Sequence, residues 1–183
     1  MPVDPDVLDG SPVLGSSDIV VEDGSIVEDA NSYVSIEDAK ACALLRGVDL
    51  SAVSDEQMAV YLILANDYLE SFRDEYKGYL TSSIQELQWP RLSVYIDANL
   101  ISSDSIPQHL INAQCQLVID QFNGITLQPN RTDKFTIVQQ VGDIRREFSE
   151  KIGTSSLPKL TAFERFIAPL LKNNSGSGFA YRG

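Results

Sequence analysis

Catalysis needs a histidine, an activated nucleophile or a set of paired acids, and this sequence is sparing with all three. His109 is the single histidine, so a Ser-His-Asp arrangement or a multi-histidine metal site would have to be built around that one imidazole. The surrounding "IPQHLINAQ" sets it in the first turn of a helix beside polar residues, where a surface or capping role is expected. Cys42 and Cys115 are far apart in the chain, among apolar neighbours and without other ligand-type residues. They read as two reduced core thiols in a cytosolic chain. The carboxylates of residues 4–38 lack the Asp/Asn alternation and the glycine of a calcium loop. No Gly-rich phosphate loop, dinucleotide fingerprint, HExxH or CxxC occurs. Asn130-Arg131-Thr132 fits a glycosylation acceptor, a pattern with meaning only in a secreted chain. These residues predict no enzyme, no metal and no cofactor.

Charge says more. The 183 residues carry 26 Asp and Glu against 14 Lys and Arg, a net of −12. The excess is uneven: residues 1–80 hold 17 acids and four bases, residues 81–183 nine acids and ten bases. A chain without a basic stripe does not coat itself in nucleic acid by counterion release. Its acidity reads either as a solvated surface or as a surface that repels a polyanion. No apolar run reaches the roughly 20 residues that span a bilayer, and "MPVDPDVLDG" has neither the basic start nor the apolar stretch of a secretory signal.

The elements that position these residues are mainly helical. Four starts share one grammar, a hydroxyl followed three residues on by an acid or amide: Ser35 and Asp38, Ser54 and Gln57, Ser105 and Gln108, Thr161 and Glu164. They predict helices over about 36–46, 55–75, 106–122 and 162–172, the last bent by Pro169. On the second, Met58, Tyr61, Leu62, Ala65, Tyr68, Leu69 and Phe72 fall on one face. Asp55, Glu56, Asn66, Asp67, Glu70, Arg73 and Asp74 fall opposite, with Ile63 exposed among the charges as a candidate subunit contact. The third is apolar nearly all round apart from a stripe of Gln108, Asn112, Gln116 and Asp120, as befits the centre of a bundle. "DIVVEDGSIVED" predicts a turn or hairpin about Asp23-Gly24-Ser25. "FTIVQQVGDIRREFSE" predicts a β-hairpin at about 135–150 around Gly142-Asp143. The segment "ELQWPRLSVYID" alternates too weakly for a convincing strand. The expected class is a small, mainly α bundle of about four helices with a β-hairpin. An acidic arm over 1–18 precedes a globular unit over 19–172, and a Gly/Ser-rich docking arm over 173–183 follows, with Phe179, Tyr181 and Arg182 as anchors.

Three stretches then carry a likeness: "VEDGSIVEDANSYVSIEDAKACALLRGVDL", "YLESFRDEYKGYLTSSIQELQWPRLSVYIDANLISSDSIPQHLINAQCQLVI" and "SSLPKLTAFERFIAPLL". Together they resemble a bacteriophage family described as DnaT-like and single-stranded-DNA-binding. The middle also resembles phage head–tail connector (adaptor) proteins, in which a helix ends in Tyr and Gly, a "WP" segment follows, and "IP" opens the next helix. Here those positions are Tyr76 and Gly78, Trp89-Pro90, and Ile106-Pro107. The likeness spans about residues 19–172, and the order and spacing of its parts carry it. It implies a virion neck protein that assembles in host cytoplasm as a ring of twelve beneath the portal protein, contacts tail or neck proteins, and lets double-stranded DNA pass without specific binding. Trp89 and Pro90 would plug the bundle, with Arg91 turned outward toward a neighbouring subunit. Either the acidic face of the second helix (Asp67, Glu70, Asp74) or the hairpin (Asp143, Arg145, Arg146) would line the channel. The alternative function is binding of single-stranded DNA in phage replication. A strand-binding groove wants cations interleaved with aromatics, whereas a conduit wants an acidic wall, and the composition suits the conduit.

Overall fold

In the computed structural model, residues 18–127, 139–141, 144–146 and 160–172 are described. Among them are four helices: α1 (Ile36–Leu45), α2 (Asp55–Glu70), α3 (Gln108–Phe122) and α4 (Thr161–Ile167), the last running into a 3₁₀ turn over Ala168–Leu170. Three two-stranded antiparallel ladders complete the order. Strand β1 (Tyr79–Leu80) pairs with β2 (Arg91–Leu92), β3 (Tyr95–Ile96) with β4 (Asn99–Leu100), and β5 (Gln139–Val141) with β6 (Ile144–Arg146). This is the small helical bundle with a hairpin that the periodicities predict.

Two of the four expected caps form. Ser35 accepts from the Asp38 amide and Ser54 from the Gln57 amide, satisfying donors that the first helical turn leaves unpaired. The other two do not. Helix α3 begins after Pro107, leaving Ser105 outside the helix, where its hydroxyl donates to the Ser102 carbonyl. Helix α4 begins at Thr161 itself, with Leu160 in the capping position. Of the turn or hairpin expected at 23–25, the chain makes only the turn: the buried Glu22 carboxylate accepts from the Gly24, Ile26 and Val27 amides and so organises the loop.

Helix α3 is central, packed against α1, α2 and α4. Its Leu110, Ala113, Leu117 and Val118 are fully buried with Met58, Leu62 and Leu69 of α2 and Ala39 and Ala43 of α1. Apolar burial of this kind dominates the stability of such a domain, at about 25 cal/mol per Å². Gln114 is fully buried too. It accepts from the Tyr33 amide and donates to Ser32 and to the Leu62 carbonyl, tying the N-terminal segment to α2 through α3. Helix α4 closes the bundle with Phe163, stacked edge-on and tilted against Tyr68 and Phe72 at centroid distances of 5.3 and 5.6 Å.

Candidate functional site

The segment between α2 and α3 is folded around Trp89. The indole is fully buried and meets Tyr76 edge-on at 5.7 Å. The Trp89–Pro90 peptide is cis. Tyr76 is held in turn by its hydroxyl, which donates to the Leu69 carbonyl at the end of α2. Trp89 is thus part of the core. Arg91 is not turned outward. It is 6 % exposed, and its guanidinium donates to the carbonyls of Lys77, Gly78 and Gln88 while lying 5.7 Å from the Tyr76 ring. The reason is the shortage of ladder partners in a loop-rich segment: one buried and two partly buried carbonyls need donors, and one planar fork supplies them.

Beside this hub lies a second polar knot. The Tyr33 hydroxyl donates to Glu70 at 2.8 Å and accepts from the Trp89 amide, while the Gln88 amide donates to the same carboxylate. Burial raises the Glu70 pKa above the ordinary carboxylate value, opposed by the Gln88 and Tyr33 hydrogen bonds. Burial also raises the Tyr33 and Tyr76 phenols. Glu70 therefore does not stand on the solvent face where α2 periodicity puts it, and Asn66 of the same polar face is 4 % exposed. Asp67 and Asp74 are exposed. Ile63 is half-buried, and its neighbour Leu64 is the exposed apolar residue of α2.

Two surface features follow. A groove of about 600 Å³ runs over the Arg91 hub, between the end of α2 and the β1–β2 ladder. Arg73 and Lys172 flank it, Asp74 supplies a carboxylate, and Tyr79 stands on its rim at 74 % exposure. A smaller apolar hollow of about 290 Å³ lies where α2 meets the end of α3, lined by Tyr61, Leu64, Gln121 and Ile125. Other exposed apolar side chains are Leu44 and Leu45 on α1, and Ile84, Leu92, Tyr95 and Leu100 in the Trp89 segment.

The remaining expected chemistry can be placed. His109 is half-buried in the first turn of α3. Cys42 and Cys115 are free thiols brought together between α1 and α3, and burial followed by the Cys42 hydrogen bond raises the Cys115 pKa. Arg46 donates to the Cys42 sulfur, reaches Asn112, and lies over Phe166. No group of three or more metal-type ligands occurs among the described residues, and no helix there is long and apolar enough to cross a membrane. Asp143, Phe179, Tyr181 and Arg182 lie outside the described residues, as do the side chains of Arg145 and Arg146. Sequence periodicity missed Gln114, Glu22 and the inward Arg91, each a polar side chain serving buried backbone; an arginine directly after an aromatic-proline pair was the only available signal.

Taken together, these features define a small helical bundle whose second interhelical segment is stapled by an arginine and plugged by a tryptophan. Compared with family models, residues 17–183 match the family described as "Putative DnaT-like ssDNA binding protein", and the chain belongs to that family. No curated protein and no solved structure matches it.

Proposed function

We propose that the protein is a structural head-to-tail adaptor of a bacteriophage, a ring beneath the portal that extends the DNA channel toward the tail. The observation that carries this reading is the acidity of the described residues, much of it exposed. Residues 18–127 and 160–172 hold 19 acids and seven bases, and Asp55, Glu56, Asp67 and Asp74 are all exposed on or just beyond α2. A passage for DNA works by keeping a polyanion from adhering, because each cation held against a phosphate adds salt-dependent affinity. The connector-like spacing of Tyr76, Gly78, Trp89-Pro90 and Ile106-Pro107, and the exposed apolar residues at separate places on the surface, support a protein that works between neighbours.

A second reading, binding of single-stranded DNA, has the family description and one local feature behind it. Tyr79 beside Arg73 and Lys172 is the combination of stacking ring and cation that strand binding uses. The deciding experiment pairs retention on immobilised single-stranded DNA at low salt with native mass spectrometry of the protein alone and with portal-bearing heads. The adaptor reading expects passage through the DNA column, a monomer or loose oligomer in isolation, and a ring on the heads. Retention on the strand without attachment to heads would overturn it.

A further inference from the structure

In a chain this acidic, the groove above the Arg91 hub is an inversion. Arg73, Arg91 and Lys172 line it together with one acid, Asp74. The Arg91 fork is spent on carbonyls in the floor, and Lys172 donates to the Asp74 carbonyl. Arg73 is exposed and forms no side-chain hydrogen bond or ion pair with a described residue. Tyr79 and Leu80 add an apolar shelf. A cationic groove with an apolar shelf suits an extended segment in which carboxylates alternate with aliphatic side chains.

Outside the described residues the chain contains one such segment. Residues 1–17 hold Asp4, Asp6 and Asp9 and no base, with Val3, Val7 and Leu8 interleaved. Residues 173–183 carry Arg182 and no acid, and residues 128–159 carry more bases than acids, so neither complements the groove. Seventeen residues reach at most about 60 Å, against a radius of gyration of about 16 Å for a folded chain of this length. The segment is therefore long enough to cross to an adjacent molecule. We propose that the groove binds the acidic segment 1–17 of a second copy of this chain, Asp4, Asp6 and Asp9 facing Arg73 and Lys172 while Val7 and Leu8 lie against Tyr79 and Leu80. The choice of a second copy rests on the adaptor reading, in which copies stand side by side.

The test uses the full chain carrying D4N, D6N and D9N, so that its own segment does not compete, and a fluorescein-labelled peptide of residues 1–17 read by anisotropy. Saturable binding is expected, weaker in higher salt because the contact is ionic. It should weaken at least about tenfold on adding R73E or K172E, which set like charges against each other. Both positions are exposed, and an unchanged melting temperature shows that each variant folds. Binding indifferent to both substitutions overturns the proposal. So does displacement of the peptide by oligothymidylate whose own binding is lost in R73E, which would make the groove a strand site. A wild-type chain that refuses the peptide at every dilution shows the segment bound within its own molecule and overturns the second-copy assignment. Attachment to portal-bearing heads is scored separately: peptide binding without attachment counts against the adaptor reading alone, and attachment without peptide binding against the groove alone.

Discussion

Glu70 shows how little a residue's helical phase says about its surroundings. By periodicity it belongs with Asp67 and Asp74 on a wet face, yet it is drawn under the Trp89 segment and receives the Tyr33 hydroxyl and the Gln88 amide. The sequence has no local signal for this, because the partners come from residues 37 positions before it and 18 after it. The consequence for stability has a definite sign. A carboxylate whose folded pKa is raised binds its proton more tightly when folded, so its contribution is present at low pH and is lost as pH rises past the ordinary Glu value. We predict that Glu70→Gln, which keeps an acceptor for both donors, flattens the fall in melting temperature between pH 4 and 8. Glu70→Ala, which orphans both, should cost about 1–3 kcal/mol at every pH. Melting curves of Glu70→Gln with the wild-type pH slope would refute the assignment. Above pH 10 the raised Tyr33 and Tyr76 phenols act in the same direction, removing stability as alkali ionises the unfolded chain.

Helices were legible as elements because their information is local. The apolar spacing of α2, the Ser35 and Ser54 caps and the Pro169 break all sit within a few residues of what they determine. The interhelical segment was not legible beyond Trp89, since its two-residue strands are too short for alternation to register and its order depends on one long-range fork. That dependence is testable. Arg91→Met keeps the volume and removes the donors, and should cost about 2–4 kcal/mol by leaving one buried and two partly buried carbonyls unpaired, with Arg91→Lys recovering only part for want of a second arm. Gly78, whose carbonyl is one of the acceptors, has φ +70°, and a Cβ there would stand 2.1 Å from the Leu92 carbonyl oxygen. Gly78→Ala should therefore be far more damaging than Gly47→Ala, where φ is +81° but nothing lies within 4 Å. Urea midpoints decide both comparisons; equal losses at the two glycines would mean that β1 and β2 separate freely.

For the whole molecule, the corrected surface changes which residues can test a channel. Asp67 and Asp74 are exposed and Glu70 is not, so the charge reversal that spares the fold is Asp67→Lys with Asp74→Lys. Particles bearing that pair, with the ring confirmed in place, are predicted to eject DNA slowly or to retain it in the neck; normal ejection would remove this face from the channel wall. The same reading expects removal of residues 173–183, with Phe179 and Tyr181, to leave the melting temperature nearly unchanged while abolishing attachment to portal-bearing heads. Normal attachment of the shortened chain would dismiss the docking arm.

The seam that closes the bundle bears on how the molecule is made. The Lys77 amide donates to the Leu170 carbonyl and the Lys172 amide to Glu75, and Phe163, Ile167 and Leu170 fill a core otherwise built before residue 128. Helix α4 is joined to that core through the stretch from Leu127 to Leu160, so it reaches its slot as a tethered ligand would. In dilute solution each α4 is expected to return to its own slot, with renaturation slowed by non-local contacts such as that between Lys77 and Pro169, 92 positions apart. At high protein concentration the α4 of one molecule is expected to compete for the vacancy in another and give a domain-swapped dimer, which size-exclusion chromatography after refolding would reveal.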